Sequence, residues 1–267
     1  MLLRLEGLTR RFAGLVAVDG VDMAVEAGGV HAVIGPNGAG KTTLFNLVSG
    51  LVQPSAGRIV LDGVDVSGFA PERRAGLGLG RTFQNIRIFS SMTVLENVLT
   101  GLHVRLHAGL AGVLLRLPGF RKEERGAVTR ARAALEVVGL ANVAERVAGT
   151  LSYGDQRRLE IARAMVAEPK LLLLDEPAAG MNPAETASLA SLVRRLREFG
   201  TTVLLVEHDM GFVMDISDHV TVLNFGRRIA GGTPTAVRQD PAVVEAYLGP
   251  KVAARLAQGA RAGVRGV

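Results

Sequence analysis

Hydrophobic and polar residues alternate near the N-terminus in the pattern of short β-strands. Leu3 and Leu5 alternate with charged neighbours, which predicts a half-buried strand. Apolar residues at short intervals predict a second strand over residues 16–23, around a turn at Asp19-Gly20. The segment 57–63 predicts a third strand that a turn closes. The opening part of the chain is therefore expected to consist of short strands joined by turns.

Two later segments are continuously apolar rather than alternating. Residues 171–174 and 201–206 contain no charged residue, and such runs are typical of parallel strands buried on both faces. A third strand is indicated at 220–223. Apolar residues at helical spacing predict helices over 159–166 and 189–196. This alternation of strands and helices predicts an α/β core.

The region between residues 92 and 147 has a helical pattern. Apolar residues recur there at spacings of three and four, at Val94, Leu95, Val98, Leu99 and Leu102, and again at Ala131, Ala134, Leu135 and Val138. Pro118-Gly119 divides the region into two parts, and Gly139 is placed to end the second helical stripe. The pattern predicts a helical subdomain inserted into the α/β core.

The segment Gly35–Thr42 fits G-x-x-x-x-G-K-[ST], the pattern of loops that cradle nucleotide phosphates. It lies between an apolar segment and a helix-compatible one, which is the strand–loop–helix context that the motif requires. Its glycines can adopt backbone conformations closed to other residues, so that amide groups can turn towards phosphate oxygens. Lys41 supplies a mobile charge for the β- and γ-phosphates, and the Thr42 hydroxyl can ligate magnesium. The alternative is a glycine-rich turn before a helix.

Further polar residues follow the apolar runs. Asp175 and Glu176 come at the carboxyl end of a predicted strand, where α/β sheets bind ligands. Asp175 suits a magnesium ion and Glu176 suits the polarisation of an attacking water; the alternative is a polar strand exit before Pro177. His208 follows the second apolar run and can hydrogen-bond a γ-phosphate. Alternatively, Asp209 only caps the next helix and His208 is an exposed turn residue.

Two predicted helix starts carry capping residues. Ser152 with Asp155 fits a capping box, and Asn182 with Glu185 fits the same arrangement. A serine-capped helix start that contains a glycine, here Gly154, is also an anion site. The sequence leaves both roles of Ser152, helix capping and anion binding, as alternatives.

Composition limits the classes of protein to consider. The chain has 267 residues, of which 48% are hydrophobic and 21% charged, and this balance indicates a globular protein. It has no cysteine, which excludes disulfides and thiolate metal sites and suits the cytosol. The N-terminus is charged too early for a secretory signal, and no apolar run approaches the ~18 residues of a membrane helix. The net charge of +6 favours anionic partners. Compositional bias towards arginine explains this charge better than nucleic acid binding, so no nucleic acid is expected.

The order of these motifs resembles that of the ATP-binding subunit of an ABC transporter. The phosphate loop is followed by Gln84, Leu151-Ser152-Tyr153-Gly154, Asp175-Glu176 and His208, and the resemblance covers residues 2–250. It implies an α/β P-loop NTPase core with an antiparallel β-subdomain and an α-helical subdomain at about 88–165. It also implies ATP and Mg²⁺ as cofactors, and two subunits paired head to tail around two ATP molecules.

The resemblance implies an ATP-binding role for two sets of residues. Phe12 resembles the aromatic residue that stacks on adenine, with a core phenylalanine as the alternative. The residues implied at the ATP phosphates are Gly35, Pro36, Asn37, Gly38, Ala39, Gly40, Lys41, Thr42 and Thr43. Ser152 and Gly154 resemble the residues that contact the ATP of the partner subunit.

The resemblance also implies catalytic and metal-binding roles. Thr42, Gln84 and Asp175 resemble the residues that hold or link to magnesium. Glu176 resembles the catalytic base, and His208 and Lys41 are further implied catalytic residues.

Three residues depart from the usual family pattern. Tyr153 and Asp155 stand where Leu-Ser-Gly-Gly-Gln has glycine and glutamine, and Asn182 stands where the loop after Pro177 usually ends in aspartate. The same stretches resemble the LivG-type subunits of branched-chain amino-acid importers, as do the apolar stretch 108–120 and the ending 241–250. How these three residues affect the strength of coupling between the two ATP sites is left open by the sequence.

The resemblance therefore implies an ATPase that energises an importer of branched-chain amino acids. Its expected partners are membrane permeases, contacted through the helical subdomain, and a second ATP-binding subunit that is a copy or a paralogue. Its expected location is the cytoplasmic face of the inner membrane. A lipid or lipopolysaccharide exporter and a soluble ATPase acting on nucleic acid are the alternatives. Residues 251–267 are expected to be a flexible basic tail, with binding to anionic lipid as the alternative.

Overall fold

The computed structural model describes residues 1–102 and 118–249, with only the backbone given for 118–123. The chain forms two compact units. The first unit comprises Met1–Gly68 and the chain from Leu205 onward, and the second comprises Phe69–Leu204. The predicted tail 251–267 and most of the apolar stretch 108–120 lie outside the described residues. The predicted limits of the helical subdomain, 88–165, stay a prediction.

The described strands and helices alternate along the chain. The strands are β1 Leu3–Phe12, β2 Leu15–Val25, β3 Val30–Ile34, β4 Ala56–Leu61, β5 Val64–Asp65, β6 Leu79–Arg81, β7 Leu171–Asp175, β8 Thr202–Val206, β9 His219–Asn224 and β10 Arg227–Gly232. The α-helices are α1 Lys41–Ser49, α2 Pro71–Gly76, α3 Val94–Thr100, α4 Pro118–Val138, α5 Tyr153–Met165, α6 Pro183–Glu198, α7 Met210–Ile216, α8 Pro234–Gln239 and α9 Pro241–Leu248. Short 3₁₀ turns lie at Ala141–Val143 and Ala148–Thr150.

The first unit contains an antiparallel sheet in the order β2-β1-β4-β5. The strand predicted at 57–63 is β4, and Asp62-Gly63 forms the expected turn into β5. The turn predicted at Asp19-Gly20 is wrong, because β2 runs through it. Leu8 pairs with Val21 and Arg10 pairs with Val18, so β2 carries one extra residue here. Such a bulge needs an unusual backbone, and Gly20 supplies it with a φ of 60°.

A second group of strands in the first unit positions the phosphate loop. Strand β3 is buried along its whole length and pairs in parallel with β9, which in turn pairs antiparallel with β10. The Asp218 carboxylate accepts a hydrogen bond of 2.8 Å from the Val30 amide, at the point where β3 begins. The strand predicted at 220–223 is therefore confirmed as β9.

The second unit contains the parallel pair β6 and β7 and the helices α2 to α6. Strand β7 is fully buried, as its apolar run predicts. The stripe 131–138 faces inward on α4, and Gly139 follows its last residue with a φ of 75°. Residues of α3, α4 and α5 pack on one another. The helical pattern and its glycine stop are confirmed.

None of the helices in residues 1–102 and 118–249 is both long enough and apolar enough to cross a membrane.

The buried histidine of β3 makes the stability of the chain sensitive to acid. His31 Nε2 lies 2.9 Å from Thr221 Oγ1, and its ring lies 4.6 Å from the ring of His219. Burial, together with the nearby His219 and Arg228, lowers the pKa of His31 to about 3. Between pH 6.5 and 3 the unfolded chain therefore binds a proton at this residue that the folded chain does not.

We predict that unfolding midpoints of the wild type fall as the pH drops below 6.5, with His31 contributing up to about 1.4 kcal/mol per pH unit. His31→Gln should flatten this slope between pH 6.5 and 5, because it removes the group that takes up a proton only in the unfolded chain. Thermal unfolding measured across this range checks the prediction. Equal slopes in the wild type and His31→Gln would contradict it.

Candidate functional site

The loop between β3 and α1 has the backbone that its glycines predict. Gly35, Gly38 and Gly40 have φ values of 152°, 78° and 98°. A Cβ on Gly35 would clash with the carbonyl oxygen of Leu223, and one on Gly40 would clash with that of Ala17. At Gly38 a side chain would find open space, so that position needs glycine only for its backbone angle. The loop is therefore held by backbone sterics as well as by its own turns.

The lysine of the loop is turned onto the loop itself. Lys41 Nζ donates hydrogen bonds of 2.7 Å to the Gly35 carbonyl and 3.0 Å to the Pro36 carbonyl. Gly40 caps α1 without a side-chain hydrogen bond to the first-turn amides. Thr42 is exposed at the helix start. A cation, a hydroxyl and uncapped amides at one helix start are suited to phosphate groups.

The other first-unit residues of the predicted site are exposed. Phe12 has 40% of its surface exposed and lies under the guanidinium of Arg10, 4.4 Å from the ring centre, so the core alternative for Phe12 is wrong. His208 is exposed just after β8. Its backbone amide donates to the buried Glu207 carboxylate at 3.0 Å. Asp209 caps α7 by accepting from the Phe212 amide, so the capping predicted for Asp209 is confirmed.

The second unit carries the two acidic residues at the end of β7. Asp175 is buried, and its carboxylate accepts a 2.9 Å hydrogen bond from Arg81. Burial raises the pKa of Asp175, while the charge and the hydrogen bond of Arg81 act in the opposite direction. The positive charge of Arg81 therefore stabilises the ionised form of this buried carboxylate.

Glu176 occupies a strained position directly after the strand. Its φ of 47° lies in the left-handed region, which is rare for a residue with a side chain. Gln84 Nε2 donates to Glu176 Oε2 at 2.9 Å, and the Ala179 amide donates to the Glu176 carbonyl at 3.2 Å. The structure therefore brings together two predicted site residues, Gln84 and Glu176. Strain of this kind is common at functional sites and persists where surrounding contacts enforce it.

The two predicted capping boxes have different outcomes. Asn182 and Glu185 form the complete box, with both hydrogen bonds at 3.0 Å. Ser152 caps α5 by accepting from the Asp155 amide at 3.2 Å. The reciprocal half is absent because the Asp155 carboxylate instead pairs with Arg158 at 2.5 Å. At Gly154, a Cβ would lie 2.8 Å from Glu185 Oε1, so the glycine lets α5 approach α6 closely.

A buried charge pair on α5 supports the segment that carries Gln84. Arg157 is fully buried and donates to the carbonyls of Phe83 at 2.7 Å and Gln84 at 2.8 Å. It also pairs with Glu160 at 3.0 Å. Glu160 accepts from the amides of Phe83 and Arg87 at 3.3 and 3.4 Å. Burial raises the pKa of Glu160, and the charge of Arg157 leads the opposing effects.

Sequence reasoning missed Arg81, Arg157 and Glu160. The available signal was weak: Arg157 lies four positions before the apolar Ile161, and therefore on the buried face of α5. Nothing in the local sequence marks the carbonyls of Phe83 and Gln84, more than seventy positions away, as its partners.

The predicted magnesium residues have the right chemistry. Thr42, Gln84 and Asp175 offer hydroxyl, amide and carboxylate oxygens, which Mg²⁺ prefers. Among the residues that the structure describes, no cluster of three or more histidine, aspartate or glutamate side chains could hold a metal.

Comparison with known proteins decides the family. The sequence profile described as "ABC transporter" matches residues 18–179. The chain belongs to the ABC transporter family. A second profile, "Branched-chain amino acid ATP-binding cassette transporter", matches residues 227–249.

Relatives match almost the whole cassette. The chain is 51% identical over 93% of its length, and 98% of the relative's, to the high-affinity branched-chain amino acid transport ATP-binding protein BraF of Pseudomonas aeruginosa. It is 48% identical, with the same coverage, to the corresponding protein LivG of Escherichia coli K12. The resemblance to LivG-type subunits is thereby confirmed.

Solved structures confirm the fold. The ADP conformation of an ATP-binding cassette of an ABC transporter superposes with a TM-score of 0.81 at 35% identity, covering 93% of this chain and 99% of the other. The predicted α/β fold with an antiparallel sheet and helices is therefore that of an ABC ATPase. ATP-binding cassette proteins bind ATP and are ATPases coupled to transport.

We predict that Glu160→Gln destabilises the cassette by about 3 kcal/mol, because Arg157 loses its charged partner but stays buried. Glu145→Gln is the matched control, because it breaks a 2.8 Å pair with Arg132 in which both side chains are at least half exposed. That change should have little effect. Unfolding followed by circular dichroism compares the two variants. Equal stability of both would show that the Arg157–Glu160 pair does not support the fold.

Proposed function

We propose that the chain is the ATP-binding and ATP-hydrolysing subunit of an importer for branched-chain, hydrophobic amino acids. The observation that carries this proposal is the 51% identity to a branched-chain amino acid transport ATP-binding protein over nearly the whole of both chains. The separate match of residues 227–249 to a branched-chain cassette profile supports it.

The phosphate loop Gly35–Thr42 holds the ATP phosphates in this proposal. Its amides and the α1 N-terminus attract the negative charge, and Lys41 exchanges its carbonyl partners for the β- and γ-phosphates. Thr43 follows in the first turn of α1, and Phe12 offers an exposed ring face to adenine.

Hydrolysis breaks the bond between the γ-phosphorus and its bridging oxygen while a water molecule attacks in line. Glu176 orients this water and accepts its proton, and Gln84 holds the Glu176 carboxylate in position. His208 donates a hydrogen bond to the γ-phosphate. Thr42 and Asp175 would each offer an oxygen ligand to magnesium, and Gln84 would link to it. The bound ion would neutralise charge at the phosphates.

Assembly completes the site in this proposal. Ser152 and Gly154, at the start of α5, contact the ATP of a second subunit, which is a copy of this chain or a paralogue. The pair contacts membrane permeases through the helical subdomain at the cytoplasmic face of the inner membrane. Closure of the pair on ATP drives the permeases, and hydrolysis resets them.

The two alternatives have less support. The names of the close relatives favour amino-acid import over lipid or lipopolysaccharide export. The positive net charge is the observation that motivates nucleic acid binding, and charge alone selects no partner.

We predict that tagged Glu176→Gln binds ATP as the wild type does but accumulates closed dimers, because the attacking water has lost its base. Its capture from native membranes with Mg²⁺ and ATP should recover permease subunits that carry branched-chain amino acids. Size-exclusion chromatography, ATP binding and mass spectrometry provide the readouts.

Lys41→Ala is the control for ATP dependence, since it should neither bind ATP tightly nor form the dimer. Normal turnover by Glu176→Gln would remove Glu176 from the role of base. Recovery of the membrane subunits of an exporter would overturn the import proposal. ATPase activity stimulated by DNA or RNA but not by membrane proteins would overturn transport.

A further inference from the structure

A closed ring of hydrogen bonds runs through the second unit and includes Glu176. The Gln84 side chain holds the Glu176 carboxylate at 2.9 Å, and the Gln84 carbonyl accepts from Arg157 Nη2 at 2.8 Å. The same nitrogen donates to the Tyr153 hydroxyl at 3.3 Å, which in turn donates to the Ala179 carbonyl at 3.1 Å. The Ala179 amide closes the ring on the Glu176 carbonyl at 3.2 Å.

Tyr153 is the member of the ring that departs from the usual family pattern. Its hydroxyl accepts one hydrogen bond and donates another, so it joins the guanidinium of Arg157 to a backbone carbonyl. Glycine, the usual residue in the resembling motif, has no group for either bond. Gly180 lies beside the aromatic ring of Tyr153, and its φ of 78° is the feature that favours glycine there.

The ring lies where the backbone is strained. Glu176, whose φ is 47°, accepts two of these hydrogen bonds. One is accepted by its carboxylate and the other by its backbone carbonyl. Ala179, which Tyr153 contacts, lies in the short segment that connects Glu176 to the capped start of α6 at Asn182. Contacts on both sides of a strained residue are what keep it in a single conformation.

We propose that Tyr153 is a positioning residue for ATP hydrolysis, which connects the start of α5 to the loop that orients Glu176. This inference rests on the proposed function, in which the neighbouring Ser152 and Gly154 contact the ATP of the partner subunit. A shift of α5 on the partner's ATP is passed by the tyrosine hydroxyl to Ala179, and through Arg157 to Gln84. The position that departs from the family motif thus links the two ATP sites through side-chain hydrogen bonds.

Tyr153→Phe removes the hydroxyl, and with it two of the hydrogen bonds, but keeps the aromatic ring of the side chain. In the transporter complex, we expect kcat for ATP hydrolysis to fall about fivefold to tenfold, because the loop that orients Glu176 loses one of the hydrogen bonds that hold it. The KM for ATP should stay at the wild-type value, because both hydrogen bonds of the hydroxyl are made within the second unit. The unfolding midpoint should change little, because Arg157 Nη2 keeps its shorter hydrogen bond of 2.8 Å to the Gln84 carbonyl. Arg158→Gln is the matched control, since it breaks the partly exposed Asp155 pair on the same helix and should keep the wild-type kcat.

The outcomes separate this inference from the proposed function. If the wild-type complex does not hydrolyse ATP, the proposed function fails. If the wild type hydrolyses ATP and Tyr153→Phe has the same kcat, the positioning role of Tyr153 is wrong. A fall in kcat accompanied by an equal rise in KM or by a lower unfolding midpoint would also overturn it, because it would show a general structural role.

Discussion

The second unit depends on one buried guanidinium. Arg157 is completely buried, and its donors reach two backbone carbonyls, a carboxylate and a hydroxyl. A buried charge of this kind is tolerated only when it is paired and hydrogen-bonded, so the groups around it have little freedom to move. Phe83, Gln84 and the start of α5 are consequently held by a single side chain. The loop after Glu176 is connected to that side chain through the Tyr153 hydroxyl.

The first unit uses a different constraint at its phosphate loop. There the close approach of backbone carbonyls from Ala17 and Leu223 excludes side chains at Gly40 and Gly35. Sterics of this kind restrict the loop without charge, and the hydrogen bonds from Lys41 to the Gly35 and Pro36 carbonyls add to them. The first unit carries Lys41 and the amides at the start of α1, and the second unit carries Asp175 and Glu176 at the end of β7.

The sequence predicts features whose causes are local. The strand, loop and helix around Gly35–Thr42, the buried run of β7 and the glycine stop after α4 depend on residues within a few positions of one another. The structure confirms these three features. The turn at Asp19-Gly20 was wrong because a bulge and a turn both favour glycine, and only pairing with β1 distinguishes them. The capping box at Ser152 lacks its second hydrogen bond because the Asp155 carboxylate pairs with Arg158. The motif alone does not reveal this ion pair. The role of Arg157 was missed because its partners are distant in sequence.

Hydrogen exchange of Arg157→Lys tests most directly whether this guanidinium holds the two loops as one unit. Lysine keeps the charge but has no planar fork to reach several acceptors at once. We expect faster exchange in peptides covering 83–87 and 176–181 together, with no change in β3 and with Arg158→Lys behaving as the wild type. Faster exchange in only one of the two segments, or unchanged exchange in both, would contradict the account.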